Sequence, residues 1–252
     1  MKTACITGAS SGIGRELAVA LSNNGYRLIL VARNSQALYE LAKKLKTRCL
    51  VIPCDLANEE ACMELAKKLS TYRIDILINN AGFGDIGNFH ETKLETDLDM
   101  IDVNIKATHI LTKELLPRFI KRNSGYIMNV ASSAGLLPGG PYMATYYATK
   151  SYVVSLTGAI YHELKAQGSK VHICALCPGP VDTNFNNVAH VKFTLPGITA
   201  KACARYALKC MFKKKLIIIP TKTMKLASHS ARFVPRKLML AMTAKQQVKK
   251  MG

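Results

Sequence analysis

Two adjacent tyrosines, Tyr146 and Tyr147, stand four and three residues ahead of Lys150 in the segment YYATK. Residues three or four apart share one face of a helix, so either phenol can meet the ammonium. A phenol with a pKa near 10 exchanges protons poorly at neutral pH. A neighbouring ammonium and a cationic ring would each favour the phenolate, and lowering the pKa from about 10 to about 7 corresponds to about 4 kcal/mol. A phenol tuned in this way can protonate a carbonyl oxygen as hydride reaches the carbon, or accept the alcohol proton in reverse. The oxygen also needs a neutral hydrogen-bond donor as charge develops on it, and Ser132 and Ser133 compete for that place.

A second set of residues suits a phosphate. Thr7-Gly8-Ala9-Ser10-Ser11-Gly12-Ile13-Gly14 joins a short apolar run to a helical pattern. Glycines at 8, 12 and 14 let the backbone turn sharply and approach a ligand, with Ser10, Ser11 and Ile13 beside them. The first N–H groups of the helix then face a pyrophosphate. The spacing is GxxxGxG. Nineteen residues after Gly14 comes Arg33, and no Asp or Glu occurs from Leu28 to Leu38. An acidic residue here would hold a ribose 2′-hydroxyl, whereas a guanidinium suits a 2′-phosphate, so the expected cofactor is NADP(H). The plainer alternative for Arg33 is a solvated cation at a strand end.

The elements that must position these groups are legible as periodicity. Apolar, β-rich runs occur at 3–7, 26–32, 49–53, 74–79, 125–131, 170–177 and 215–220. They are nearly continuous, which suits strands covered on both faces. Between most of them lie helix-length segments with apolar residues three and four apart. This alternation predicts an α/β fold with a doubly wound parallel sheet of about seven strands and helices on both faces. With 252 residues, no long linker and no repeat, one domain is expected. Residues 1–220 would carry nucleotide binding and catalysis, and 221–252 a basic helical extension of the same domain.

Composition excludes several classes. The chain is 49% hydrophobic and 20% charged, which rules out a disordered or collagen-like protein. No apolar run is long enough to span a membrane, and MKTACIT leads straight into the glycine turn without a signal peptide, so a cytoplasmic protein with reduced thiols is expected. Cys174 and Cys177 have CxxC spacing, but no second pair or His set completes a metal site, and both read as core of a strand. The six histidines show no metal-ligand spacing, no Ser-His-Asp arrangement competes, and no metal is expected. The net charge of +19 is concentrated: residues 183–252 hold 15 of the 35 Lys/Arg and no acid.

TGASSGIG at 7–14, CDLAN from Cys54, NNAG at 79–82, DVNIKAT around Asn104, ASSAG at 131–135, YYATK at 146–150 and PGPVDT at 178–183 occur in this order. Together they resemble the short-chain dehydrogenase/reductase family from about residue 3 to 220, and look most like NADP-preferring bacterial reductases. The resemblance implies a Rossmann-like fold and a homodimer or homotetramer. Its YxxxK motif selects Tyr146 as acid/base, leaving Tyr147 about 100° away in the core. Lys150 would lower the phenol's pKa and anchor the nicotinamide ribose, and Asn104 would support a water-linked proton relay to Lys150. Counting along the strand from Gly125 and matching Gly135 selects Ser132, while counting 13 residues back from Tyr146 selects Ser133; strand position is the more rigid guide, and Ser132 is preferred. Gly139-Gly140 would then mark a residue gained in the loop.

The resemblance also implies that Asp55 and the backbone of Leu56 contact adenine, and that Asn80, Ala81 and Gly82 lie beneath the adenosine ribose. Pro178, Gly179, Val181 and Thr183 would hold the nicotinamide end. A helix N-cap is the plainer role for Asp55. Phe83, Pro141, Met143, Phe185 and Phe193 are candidates for an apolar cleft taking a small hydrophobic carbonyl or alcohol. The activity implied is reduction of a ketone or aldehyde, reversible in principle. A nucleotide-sensing or membrane-surface binder on the same fold is the alternative, but a pure binder needs no Asn, Ser, Tyr and Lys set.

After Pro220 the chain continues with a Met- and Leu-containing basic tail. Pro235 could open a last helix with Val234, Leu238, Ala241 and Met242 on one apolar face and Lys237, Lys245, Lys249 and Lys250 adding charge. Three roles are open: packing on its own domain or a second subunit, peripheral contact with an anionic membrane, or contact with nucleic acid or an acidic protein. The absence of interleaved aromatics argues against nucleic acid.

Overall fold

The computed structural model describes residues 1–183, 185 and 197–251. Seven strands form one parallel sheet: β1 (Thr3–Thr7), β2 (Arg27–Ala32), β3 (Cys49–Pro53), β4 (Ile76–Asn79), β5 (Tyr126–Val130), β6 (His172–Leu176) and β9 (Ile217–Ile218). Their order is β3-β2-β1-β4-β5-β6-β9, every neighbouring pair parallel. A two-residue pair, β7 (Val181–Asp182) with β8 (Ile198–Thr199), lies apart from it.

The continuous apolar runs follow from two-sided burial. Ala4, Ile6, Leu28, Leu30, Ile76 and Ile78 face a core built with α1 (Gly12–Asn23), α2 (Ser35–Lys44) and α7 (Ala200–Phe212). Cys5, Ile29, Val31, Leu77 and Ile127 face the opposite core, with α3 (Glu59–Ser70), α5 (Thr108–Arg122) and α6 (Ala144–Ala166). Each strand thus alternates between two apolar layers, so both faces read as hydrophobic. Cys174 and Cys177 are buried in different clusters, as core cysteines, and all eight cysteines are free. Among the described residues no group of side chains suits a metal ion and no helix is long and apolar enough to cross a membrane.

The chain winds from β1 outward to β3, then crosses back to β4 on β1's other side. Beyond the carboxyl ends of β1 and β4 the loops therefore diverge and open a crevice, the usual ligand position in such sheets. Beneath it, a buried polar chain ties β4 to β5 and two helices. Asn79 Nδ2 donates to Thr112 Oγ1 (3.0 Å) and Asn129 Oδ1 (2.9 Å), and Asn129 Nδ2 donates to Thr157 Oγ1 (3.0 Å).

Candidate active site

Just past β1, Gly8 (φ +62°) and Gly12 (φ +53°) adopt left-handed backbone that glycine takes at little cost. Asn80, after β4, pins this turn. Its Nδ2 donates to the carbonyls of Thr7 (2.9 Å) and Gly8 (3.2 Å), while Thr7 Oγ1 accepts the N–H groups of Asn80 (2.9 Å) and Ala81 (3.0 Å). Ser11 is the N-cap of α1, yet its hydroxyl makes no capping bond and the first turn holds no acid. The amino end of α1 thus presents unpaired N–H groups and the positive end of its dipole beside a cavity of about 380 Å³. That volume is in the range of small-molecule and cofactor pockets.

Gly8, Ser10, Ser11, Gly12 and Ile13 line this cavity; Gly14 does not. A Cβ on Gly14 would lie 2.3 Å from the Gly8 carbonyl oxygen, so this glycine serves close packing of α1 under the turn. Arg33, Asp55, Leu56, Ala81 and Gly82 continue the wall, together with Asn80. Arg33 is exposed and makes no ion pair among the described residues. Asn58 caps α3, with its Oδ1 accepting from Ala61 N at 2.8 Å. The capping role weighed for Asp55 is therefore taken, and Asp55 accepts only the Ala57 N–H (3.1 Å) at the cavity edge. Pro178, Gly179, Val181 and Thr183 close the far side. A Cβ on Gly12 would meet the Thr183 side chain at 3.3 Å, which places the segment after β6 directly over the glycine turn. The cavity therefore runs from the glycine turn, past the exposed Arg33, to an apolar end.

Tyr146 and Lys150 are buried on one face of α6 and both line the cavity. Lys150 Nζ donates to Val130 O (3.1 Å), at the end of β5, and lies 5.8 Å from the centre of the Tyr146 ring. Burial pushes the Tyr146 phenol up to about 12, and the Ser132 hydroxyl, hydrogen-bonded to it, draws it down only in part. Burial likewise lowers Lys150 to about 8. Burial therefore favours the protonated phenol, opposite in direction to the fields of the ammonium and of a cationic ring. The protonated form is the one that can donate to a carbonyl oxygen.

Both candidate serines line the cavity, but only Ser132 acts on the phenol. Its Oγ also accepts the Ala134 N–H (3.1 Å), capping the 3₁₀ turn Ser133–Leu136, while Ser133 N donates to Pro178 O (2.8 Å).

Asn104 sits in a π-helical turn (Asp102–Ala107) between α4 (Leu94–Ile101) and α5, and is buried outside the cavity wall. Such turns interrupt the regular hydrogen-bond ladder and recur at functional sites. Asn104 Oδ1 accepts Phe83 N (3.1 Å); its Nδ2 donates to Phe83 O (2.9 Å) and Thr149 Oγ1 (3.0 Å), and Thr149 in turn donates to Tyr146 O (2.8 Å). Asn104 therefore fastens the loop after β4 to the helix that carries Tyr146. A Cβ on Gly82 would stand 2.7 Å from Asn104 Oδ1 and 3.0 Å from Lys150 Nζ, so that glycine admits both groups.

Lys150 has a measurable cost. Its amine falls from 10.5 to about 8, which corresponds to about 3 kcal/mol. The unfolded chain binds the proton more readily between those values, so stability rises with pH from about 8 to 10.5 and the penalty is complete below about 8. Lys150→Met should therefore raise Tm at pH 7 by about 3–8 °C, after allowing for the lost bond to Val130 O. The gain should shrink above pH 8. Thermal melts across pH 7–10 check this, and a lowered Tm at pH 7 would contradict it.

Of the expected cleft residues, Phe83, Met143 and Phe185 line the cavity, Pro141 does not, and Phe193 lies outside the described residues. Among the lining residues that sequence reasoning missed are Leu137, Tyr147, Met224 and Gln246. Tyr147 is buried in an apolar cluster, as expected, and its hydroxyl also accepts from Gln247 Nε2 (2.5 Å), a fully buried side chain of α9 (Arg236–Met251). A Cβ on Gly140 would lie 2.2 Å from the Tyr147 ring. The Gly139-Gly140 pair was thus the available signal, since Gly140 makes room for the Tyr147 ring. Met224, on α8 (Lys222–Ser230), packs over Gly179. The basic extension therefore packs on its own domain and walls the substrate end.

Comparisons with known proteins agree with this arrangement. A family model described as short chain dehydrogenase matches residues 2–192. An uncharacterized oxidoreductase of Staphylococcus epidermidis is 38% identical over 184 residues, covering 72% of this chain and 79% of that protein. A short-chain dehydrogenase from Sphingobium yanoikuyae, solved with NADPH, is 30% identical with a TM-score of 0.82, covering 92% of this chain and 94% of that one. A relative from Burkholderia phymatum, solved with NAD, is 26% identical with a TM-score of 0.81, covering 90% and 92%.

Proposed function

The chain belongs to the short-chain dehydrogenase/reductase family of oxidoreductases, and we propose that it is an NADP(H)-dependent reductase of hydrophobic ketones or aldehydes, reversible towards the corresponding alcohols. The observation that carries this reading is the buried Tyr146 phenol, 5.8 Å from Lys150 Nζ to its ring centre, lining with Ser132 the cavity that begins at the glycine turn.

The family uses NAD(P)(H), and the fit to the phosphorylated form rests on Arg33 and on the lack of any acid from Leu28 to Leu38. Ser10, Ser11, Gly12 and Ile13 would hold the pyrophosphate, Asp55 and Leu56 the adenine, and Asn80, Ala81 and Gly82 the adenosine ribose. Pro178, Gly179, Val181 and Thr183 would hold the nicotinamide end. A reduced nicotinamide bound there would supply hydride to the carbonyl carbon. Tyr146 donates its proton to the carbonyl oxygen, Ser132 stabilises the charge growing on that oxygen, and Lys150 supplies the positive charge that eases loss of the phenolic proton. Asn104 is a positioning residue, acting through Phe83 and Thr149. Phe83, Leu137, Met143, Phe185 and Met224 give the substrate end its apolar walls. A nucleotide binder without chemistry would gain nothing from burying Lys150 at the cost derived above.

A screen of ketones and aldehydes with NADPH and with NADH, followed by loss of reduced-cofactor absorbance, tests the reading. Turnover of apolar carbonyls with NADPH preferred is expected; oxidation of neither cofactor by any carbonyl of this class would reject it.

A further inference from the structure

The last helix is packed the wrong way round for a self-sufficient domain. On α9, Thr243 and Gln247 face inward, with Leu240 against Gly139 and Arg236 Nη2 donating to Pro138 O (3.4 Å). Leu238 and Met242 of the expected apolar face point outward, 55% and 51% exposed, and Val248 beside them is 51% exposed. Just before it, Phe233 is 89% exposed, and Leu226 on α8 is also bare. Among these residues stand Lys222, Lys225, Arg232, Lys237 and Lys245, all exposed, and the sequence has no acid after Asp182.

The charge decides what can cover this surface. A two-fold contact with a second copy would set the same cations against one another, since the same patch is used twice. Any other patch of a second copy belongs to a chain that is itself basic: residues 1–182 hold 20 Lys/Arg against 16 Asp/Glu. A surface that is anionic and has an apolar layer just beneath it satisfies both halves of the pattern. We propose that residues 222–248 dock the protein on an anionic lipid bilayer, with Leu226, Phe233, Leu238, Met242 and Val248 entering the headgroup–acyl boundary and the lysines and arginines meeting lipid phosphates. Met224 and Gln246 of the same extension line the catalytic cavity. Docking therefore sets the substrate end next to a reservoir of apolar carbonyl compounds.

The test uses the full chain and vesicles of phosphatidylcholine alone or with about one third phosphatidylglycerol. Sedimentation with the mixed vesicles is expected, with little on the neutral ones, and binding should weaken as added salt shortens the screening length. The triple variant Phe233→Gln/Leu238→Gln/Met242→Gln should lower partitioning at least tenfold, and removing Lys237 or Lys245 about fivefold each. All of these side chains are exposed and outside the catalytic cavity, so Tm and turnover of a water-soluble ketone should be unchanged. Equal binding to both vesicle types, or none to either, would overturn the proposal. So would a wild-type dimer that the triple variant converts to monomer, since the face would then be a subunit interface.

Discussion

Tyr146→Phe is expected to lower kcat/KM about a thousandfold, within the range contributed by a positioned general acid. The substitution removes only the hydroxyl and leaves the ring against Phe185, 5.5 Å between centres. Fluorescence titration should therefore give an NADPH affinity within a few-fold of wild type. Tyr147→Phe is the paired control. It removes the acceptor of the Gln247 amide, in a side chain whose Oε1 already lacks a partner, and should cost about 1–3 kcal/mol while turnover persists. The two outcomes separate a proton donor from a neighbouring anchor. Retained turnover in Tyr146→Phe, or its loss only in Tyr147→Phe, would reject the assignment.

Arg33→Asp should produce the second large effect. The guanidinium is exposed at the cavity edge and free of ion pairs among the described residues, so it is available to a 2′-phosphate without breaking another contact. A charge-assisted bond contributes about 1.5–3 kcal/mol. Replacing it by a carboxylate adds repulsion against the phosphate and offers an acceptor to a free 2′-hydroxyl. The ratio of kcat/KM for NADPH over NADH should fall at least a hundredfold. An unchanged ratio would leave Arg33 as a solvated cation.

The fold was legible because two-sided burial leaves a strong mark: strands such as Arg27–Ala32 have almost no polar interruption, and helices between them supply the second period. The glycine turn was legible for a related reason, since Gly8 and Gly12 occupy backbone that other residues resist. What escaped depended on three-dimensional context. The phenol's protonation follows from solvent exclusion, which a four-residue spacing cannot register. Asn104 was visible as a motif residue, but not the π-helical turn holding it, because dihedral changes of that kind leave no compositional trace. The apolar face of Val234, Leu238, Ala241 and Met242 was legible as a face, and its direction was left open. Periodicity defines a helix face and is silent on which side meets the protein.

Met224 and Gln246 lie beyond residue 192, where the family match stops, whereas the proton-handling side chains lie within it. The cavity thus draws on both stretches of the chain, with Phe83, Leu137, Met143 and Phe185 from the matched part and Met224 and Gln246 from the extension. A chimera joined near Pro220 would exchange Met224 and Gln246 while keeping Tyr146, Lys150 and the four earlier apolar walls, so any change in its preference among carbonyl compounds would report the extension's own share.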